Sequence, residues 1–141
     1  MPEYAISITI DTGFAEAVER TRAALAEQGF GVLTEIDVAA TMKAKLGADL
    51  PPYLILGACN PPLAHQALTI APSIGLLLPC NVVVRSIDGG QTLVEAMDPG
   101  VMVAATGEPA LAPVADQARE RLVAALDSLA EVASALGTGA R

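Results

Sequence analysis

Tyr53-Leu54-Ile55-Leu56-Gly57-Ala58-Cys59-Asn60-Pro61-Pro62 is the segment on which the reading of the fold turns. Seven residues whose only polar side-chain groups are the Tyr53 hydroxyl and the Cys59 thiol have the length and composition of a strand buried on both sides. Asn60 is a strong helix N-cap, and Pro61 fits the first helical position, where its missing N–H costs nothing. A helix carrying Leu63, Ala64, Ala67, Leu68 and Ala71 is therefore expected to run until Pro72 stops it.

The segment sits inside a longer anomaly, because no Asp, Glu, Lys or Arg occurs over the 35 residues from Leu50 to Val84. That is long enough for a transmembrane helix of about 20 residues. Pro51, Pro52, Pro61, Pro62, Pro72 and Pro79 cut it into pieces of strand and short-helix length, so no span is expected.

On the N-terminal side, Tyr4, Ile6, Ile8 and Ile10 alternate with smaller or polar residues, as a half-buried strand requires. With Thr12 as its expected N-cap, a helix presents Phe14, Ala17, Val18, Thr21, Leu25 and Gln28 on one face, and Gly29 suits its C′ position. In the next strand, Phe30 to Val38, strict alternation sets Phe30, Val32, Thr34, Ile36 and Val38 on one face and Leu33, Glu35 and Asp37 on the other. Asp37 is placed to cap a short helix bearing Val38, Met42 and Leu46, stopped by Gly47 and the Asp49-Leu50-Pro51-Pro52 breaker.

On the C-terminal side, Gly75 to Ile87 reads as a strand interrupted near Pro79. The Asp88-Gly89-Gly90 turn then leads into the return strand Thr92 to Met97. Asp98-Pro99-Gly100 breaks the pattern, and Val101 to Gly107 reads either as a helical turn or as a loop with Met102 tucked in. The clearest helix follows, with Leu111, Ala115, Ala118, Leu122, Ala125, Leu129, Val132 and Leu136 on one side and Gly137 as its stop. The order β-α-β-α-β-α-β-β-α implies a single α+β domain over residues 1–141: a mixed sheet of about five strands with helices mainly on one face.

The chain has 141 residues, 52% of them hydrophobic, 17% charged and only 3% aromatic, which is enough for one core and argues against disorder. Its mean hydropathy is positive. A net charge of −8 disfavours nucleic acid and anionic membrane surfaces as partners. Met1-Pro2-Glu3-Tyr4 has no signal-peptide character, so the cytoplasm is the default compartment and the two cysteines are expected to be reduced.

Chemistry concentrates in the uncharged stretch. Cys59 precedes the expected cap Asn60, where the helix dipole favours a thiolate, and Cys80 stands in a near mirror image, Pro79-Cys80-Asn81. Both also suit plain packing, since free cysteine is among the most buried residue types. His65 is the sole histidine and lies over one turn past Cys59. Cys59 and His65 could form a nucleophile–base pair, and Cys59, Cys80 and His65 could offer soft ligands to zinc or copper, although their spacing matches no standard zinc signature. A solvated histidine is the simpler reading. Glu35, Asp37, Glu95 and Asp98 are the available acids, with Glu35 and Glu95 on a sheet face that is either open or lines a cleft. Lys43 and Lys45 read as solvent-facing. The nucleotide-binding, serine-elbow and zinc-helix motifs G-x-G-x-x-G, G-x-x-x-x-G-K-[ST], G-x-S-x-G and H-E-x-x-H are missing.

The runs Gly29 to Asp37, Leu56 to Ala64 and Gly75 to Val82, with their Ala-Cys-Asn-Pro and Leu-Leu-Pro-Cys segments, resemble the bacterial and archaeal family called domain of unknown function 302. The resemblance spans nearly the whole chain and places Glu35, Cys59, Asn60, Pro61, Pro79 and Cys80 at signature positions. It implies a small α+β domain and a homodimer, and it brings no activity. Three functional readings follow. The first is a domain binding a small molecule or soft metal through Glu35, Cys59, Asn60 and Cys80, with sulfur or redox chemistry in view. The second is a non-catalytic homodimerising module with buried cysteines, and the third a cysteine-dependent hydrolase.

Overall fold

Period-2 alternation at the N-terminus becomes, in the computed structural model, strand β1 (Ala5–Ile10), followed by α1 (Phe14–Glu27), β2 (Gly31–Asp37), α2 (Val38–Leu46) and β3 (Tyr53–Cys59). The chain continues through α3 (Pro61–Ile70), β4 (Cys80–Ser86), β5 (Thr92–Met97), α4 (Gly100–Thr106) and α5 (Ala112–Gly139). The structure describes residues 2–139, with side chains described through residue 130.

The five strands form one sheet in the order β1-β5-β4-β3-β2. Every ladder is antiparallel, so the expected mixed sheet is corrected to a purely antiparallel one. Helical connections usually carry a chain to the far end of a sheet and produce parallel neighbours. Here α2 starts directly after the last residue of β2, and residues 47–52 return the chain to the end it left, so that α2 serves as an elaborated loop.

The caps explain where helices begin. Asp37 Oδ1 accepts the Ala40 N–H at 2.9 Å, as expected for α2, and Gly47 closes that helix in the left-handed region. The N-cap of α1 is Gly13, not Thr12, and it offers no side-chain bond. Thr12 is buried, with its carbonyl accepting the Thr92 hydroxyl at 2.6 Å. Gly29 takes its expected place after α1.

Helices α1 and α5 pack on one face of the sheet. The core between them holds Ile10, Ala17, Leu25, Leu54, Leu56, Val82, Val84, Val94, Ala96, Leu122, Ala125 and Leu126, all nearly sealed from solvent. Because this cover is one-sided, β3 alternates: Leu54, Leu56 and Ala58 are buried while Tyr53, Ile55 and Cys59 are partly exposed, which corrects the expectation of burial on both faces. On the opposite face, Arg85 Nε donates to Glu95 Oε1 at 3.2 Å.

Two local departures matter for the site. Gly75 to Leu77, expected as the start of a strand, instead belong to a 3-10 turn, Pro72–Leu77, that begins on Pro72 and anchors Ile74 in the interior. The strand itself starts only at Cys80, after a cis Leu78–Pro79 peptide. The second departure is a bulge in β2, where the register with β3 shifts between Val32 and Thr34. The bulge absorbs Leu33, so Val32 and Glu35 lie opposite Ala58 and Leu56 on the helix-covered face, while Thr34 and Ile36 turn to the other. Glu35 thus sits on the same face as Val32, reversing the expectation from strict alternation.

At the C-terminal end, Val101 to Gly107 resolves as helix α4 within Gly100–Thr106. Helix α5 continues through Gly137, where a stop was expected, and the side chains of Val132 and Leu136 lie outside the described ones. Among the described residues no helix is long and apolar enough to cross a membrane.

Candidate functional site

A second, smaller apolar cluster gathers at one end of the sheet, built from Leu63 and Ala67 of α3, Ile74, Met102 of α4, Leu111, and Val114, Ala115 and Ala118 of the α5 region. Between this cluster and the ends of β3 and β4 lies a small cavity of about 30 Å³. Cys59, Cys80, Asn60, Leu63, Leu78 and Met102 are among the residues lining it. Cys80 and Met102 are buried, whereas Cys59, Ala64 and Leu78 are half-buried and form its more accessible side.

Asn60 sets this geometry. Its Oδ1 accepts the Leu63 N–H at 3.3 Å, fixing the first turn of α3 next to Cys59. Its Nδ2 donates to the Gln28 carbonyl at 3.5 Å, tying the cavity wall to the end of α1. Arg121 Nη1 donates to the same carbonyl at 3.3 Å, so an otherwise orphaned helix-terminal carbonyl is satisfied from α3 and α5 together. Gly29 permits this approach: it has φ +82°, and a Cβ there would stand 3.0 Å from Asn60 Nδ2.

The two thiols are free and share the cavity but not an environment. Burial pushes the Cys80 thiol from its ordinary 9.0 up to about 11, and the neighbouring Cys59 thiol pushes in the same direction. At neutral pH the Cys80 thiol is therefore protonated. Cys59, more accessible and next to the N-terminus of α3, is the better placed of the two to meet a ligand.

The remaining expected residues stand elsewhere. His65 is exposed on α3 and does not line the cavity. Among the described residues no three His, Cys, Asp or Glu side chains form a metal-holding group, so Cys59, Cys80 and His65 are not brought together as a ligand set. Glu35 accepts a hydrogen bond from Arg22 Nη2 and lines a separate open groove with Ile36, Asp37 and Ala40. Asp98 is a structural acid: its Oδ1 accepts the Gly100 N–H at 2.9 Å at the start of α4, and Arg119 pairs with its Oδ2 at 3.1 Å. The residue that sequence reasoning did not place in the site is Met102. Its apolar tetrad Val101-Met102-Val103-Ala104 after a Pro-Gly break is compatible with a short buried helix, but nothing local connects it to Cys59.

The family model described as "Domain of unknown function DUF302" matches residues 6–129, which takes in all of the sheet but Ala5 and all of the residues that line the cavity. The chain belongs to the DUF302 family. A crystal structure of an uncharacterized conserved DUF302 protein from Bacillus stearothermophilus is similar to it, with 33% sequence identity and a TM-score of 0.82 over 89% of this chain and 98% of that one. No curated protein matches the sequence. Within this DUF302 chain, the Ala58-Cys59-Asn60-Pro61 and Pro79-Cys80 segments converge on the cavity, while the Glu35 segment does not.

Proposed function

We propose that this protein is a binding domain that takes a small thiol-reactive ligand, a soft metal ion or a small molecule, into the cavity lined by Cys59 and Cys80. The observation that carries the reading is the placement of two thiols on one apolar cavity at the start of α3, with Cys59 on its accessible side and Cys80 buried. The lining is otherwise almost wholly aliphatic, and its polar side chain, Asn60, is engaged in holding the fold. A hydrolase would need a base beside Cys59, and exposed His65 does not line the cavity.

Brief treatment of the folded, reduced protein with iodoacetamide is expected to modify Cys59 and spare Cys80 until the chain is unfolded. Native mass spectrometry with elemental analysis of untreated protein then reveals what the cavity carries. Protein that carries nothing, with neither thiol labelled in the folded state, would leave the reading without a site.

A homodimerising module is the second reading, and it is favoured by one observation. The uncharged stretch exposes Leu68 (40%), Ile70 (37%) and Leu76 (89%). In a chain of charge −8, a stretch free of Asp, Glu, Lys and Arg is where two copies meet with the least repulsion. Light scattering after size exclusion is expected to give twice the chain mass, and Leu76→Glu to shift it toward the monomer; a monomeric parent protein ends this reading.

A further inference from the structure

We infer that the cavity is a site for one monovalent soft metal ion of the copper(I) class, held by the Sγ atoms of Cys59 and Cys80 and the thioether sulfur of Met102. The inference rests on the ligand-binding reading above and names its ligand.

The donor set is the first argument. Three sulfur-bearing side chains, from β3, β4 and α4, line one small cavity, and among the described residues no carboxylate or imidazole joins them. Thiolate and thioether donors select copper(I), whereas magnesium and calcium require oxygen and zinc sites usually take four nitrogen, sulfur or oxygen ligands. Asn60, the one polar lining side chain with an oxygen donor, already accepts from Leu63 N–H with that oxygen. A copper(I) ion is satisfied by two or three soft ligands, which is what the cavity provides.

Size and charge agree. A volume of about 30 Å³ leaves room for roughly two water-sized occupants, at about 10–15 Å³ each. A bare ion fits. Binding releases one proton from each thiol, and two thiolates around one monovalent cation leave a single negative charge. That charge would lie beside the N-terminus of α3, where the helix dipole favours an anion although Pro61 and Pro62 carry no N–H to offer it. Met102 is 2% exposed on a helix whose start is fixed by Asp98, so its thioether is held in the interior rather than recruited from the surface.

The test is anaerobic titration of the reduced full-length protein with copper(I) in competition with a chromophoric copper(I) chelator. One ion per chain, release of two protons per ion, and a first shell of three sulfurs by X-ray absorption are expected. Met102→Leu keeps the side-chain volume and should retain the parent melting temperature. It should weaken copper(I) binding by about tenfold or more and reduce the sulfur shell from three to two. His65→Ala should match the parent. Parent-like affinity and shell in Met102→Leu overturn the assignment, as does a nitrogen ligand that disappears in His65→Ala. Failure to take up copper(I) also overturns it, but if iodoacetamide still labels Cys59 selectively, only the identity of the ligand falls and the binding site stands. Loss of both results removes both.

Discussion

Gly57→Ala is expected to lower the free energy of unfolding by about 3 kcal/mol, the upper part of the range for forcing extra volume into a packed site. Gly57 is buried in the middle of β3, where the chain from β2 and the turn before β4 close over it. A Cβ there would stand 2.1 Å from Thr34 Oγ1 and 2.8 Å from Pro79 Cγ. Neither neighbour can yield cheaply. Turning χ1 of Thr34 brings either its methyl group or its hydrogen in place of the hydroxyl, and even the hydrogen leaves the Pro79 ring, which can change only its pucker, 2.8 Å away. Relief must come from the backbone, which would spread β2 and the 72–79 segment away from β3 and open the cavity wall beside Cys59. Replacing glycine by alanine normally stabilises by about 0.4–1 kcal/mol through the unfolded chain, so the predicted sign is opposite to the generic one. Urea denaturation should show a lower midpoint at an unchanged m value. Adding Thr34→Ala should recover about 1 kcal/mol of the loss. A Gly57→Ala protein as stable as its parent would contradict the packing.

Features of this fold that are decided within a few residues could be read from the sequence. Asn60-Pro61 starts α3 because a cap and a proline at the first helical position act on the next turn alone. Asp37 caps α2 and the Gly89-Gly90 pair turns the β4–β5 hairpin for equally local reasons, with both glycines at positive φ. The core face of α1 followed from 3.6-residue spacing.

What stayed hidden depends on contacts between distant segments. The bulge at Leu33 reverses the face on which Glu35 lies, and alternation within β2 carries no mark of it, since only pairing with β3 reveals the extra residue. The cysteines could be singled out as scarce, paired features, but their convergence on one cavity requires β3 and β4 to be neighbours. His65 is exposed because Leu63 and Ala67 define the inward face of α3, and position 65 falls between them on the outside. Met102 reaches the cavity through a break and a short helix whose docking on α5 no local pattern encodes.

Stability should also fall as pH rises from about 9 to about 11, the interval between the ordinary Cys80 thiol and the same thiol in the folded protein. In that window the unfolded chain has lost the Cys80 proton while the folded one retains it. Unfolding therefore releases a proton and becomes easier as pH increases. Below the window both states hold the proton and the stabilising contribution is complete; above it the contribution is gone. At about 1.4 kcal/mol per pH unit, the loss across the window approaches about 3 kcal/mol. The first cause is burial of the sulfur among apolar side chains, and the Cys59 thiol nearby adds to it. Lysines and tyrosines titrate over the same range, so the informative quantity is the difference between the parent and Cys80→Ala in the slope of unfolding free energy against pH. Cys80→Ala is expected to be less stable at neutral pH through lost packing and to show a flatter profile above pH 9. Cys59→Ala should keep most of the parent's slope and end its decline at a slightly lower pH, because desolvation of Cys80 remains while the neighbouring negative charge is removed. Parallel profiles for the parent and Cys80→Ala would show that the thiol is not held protonated by burial.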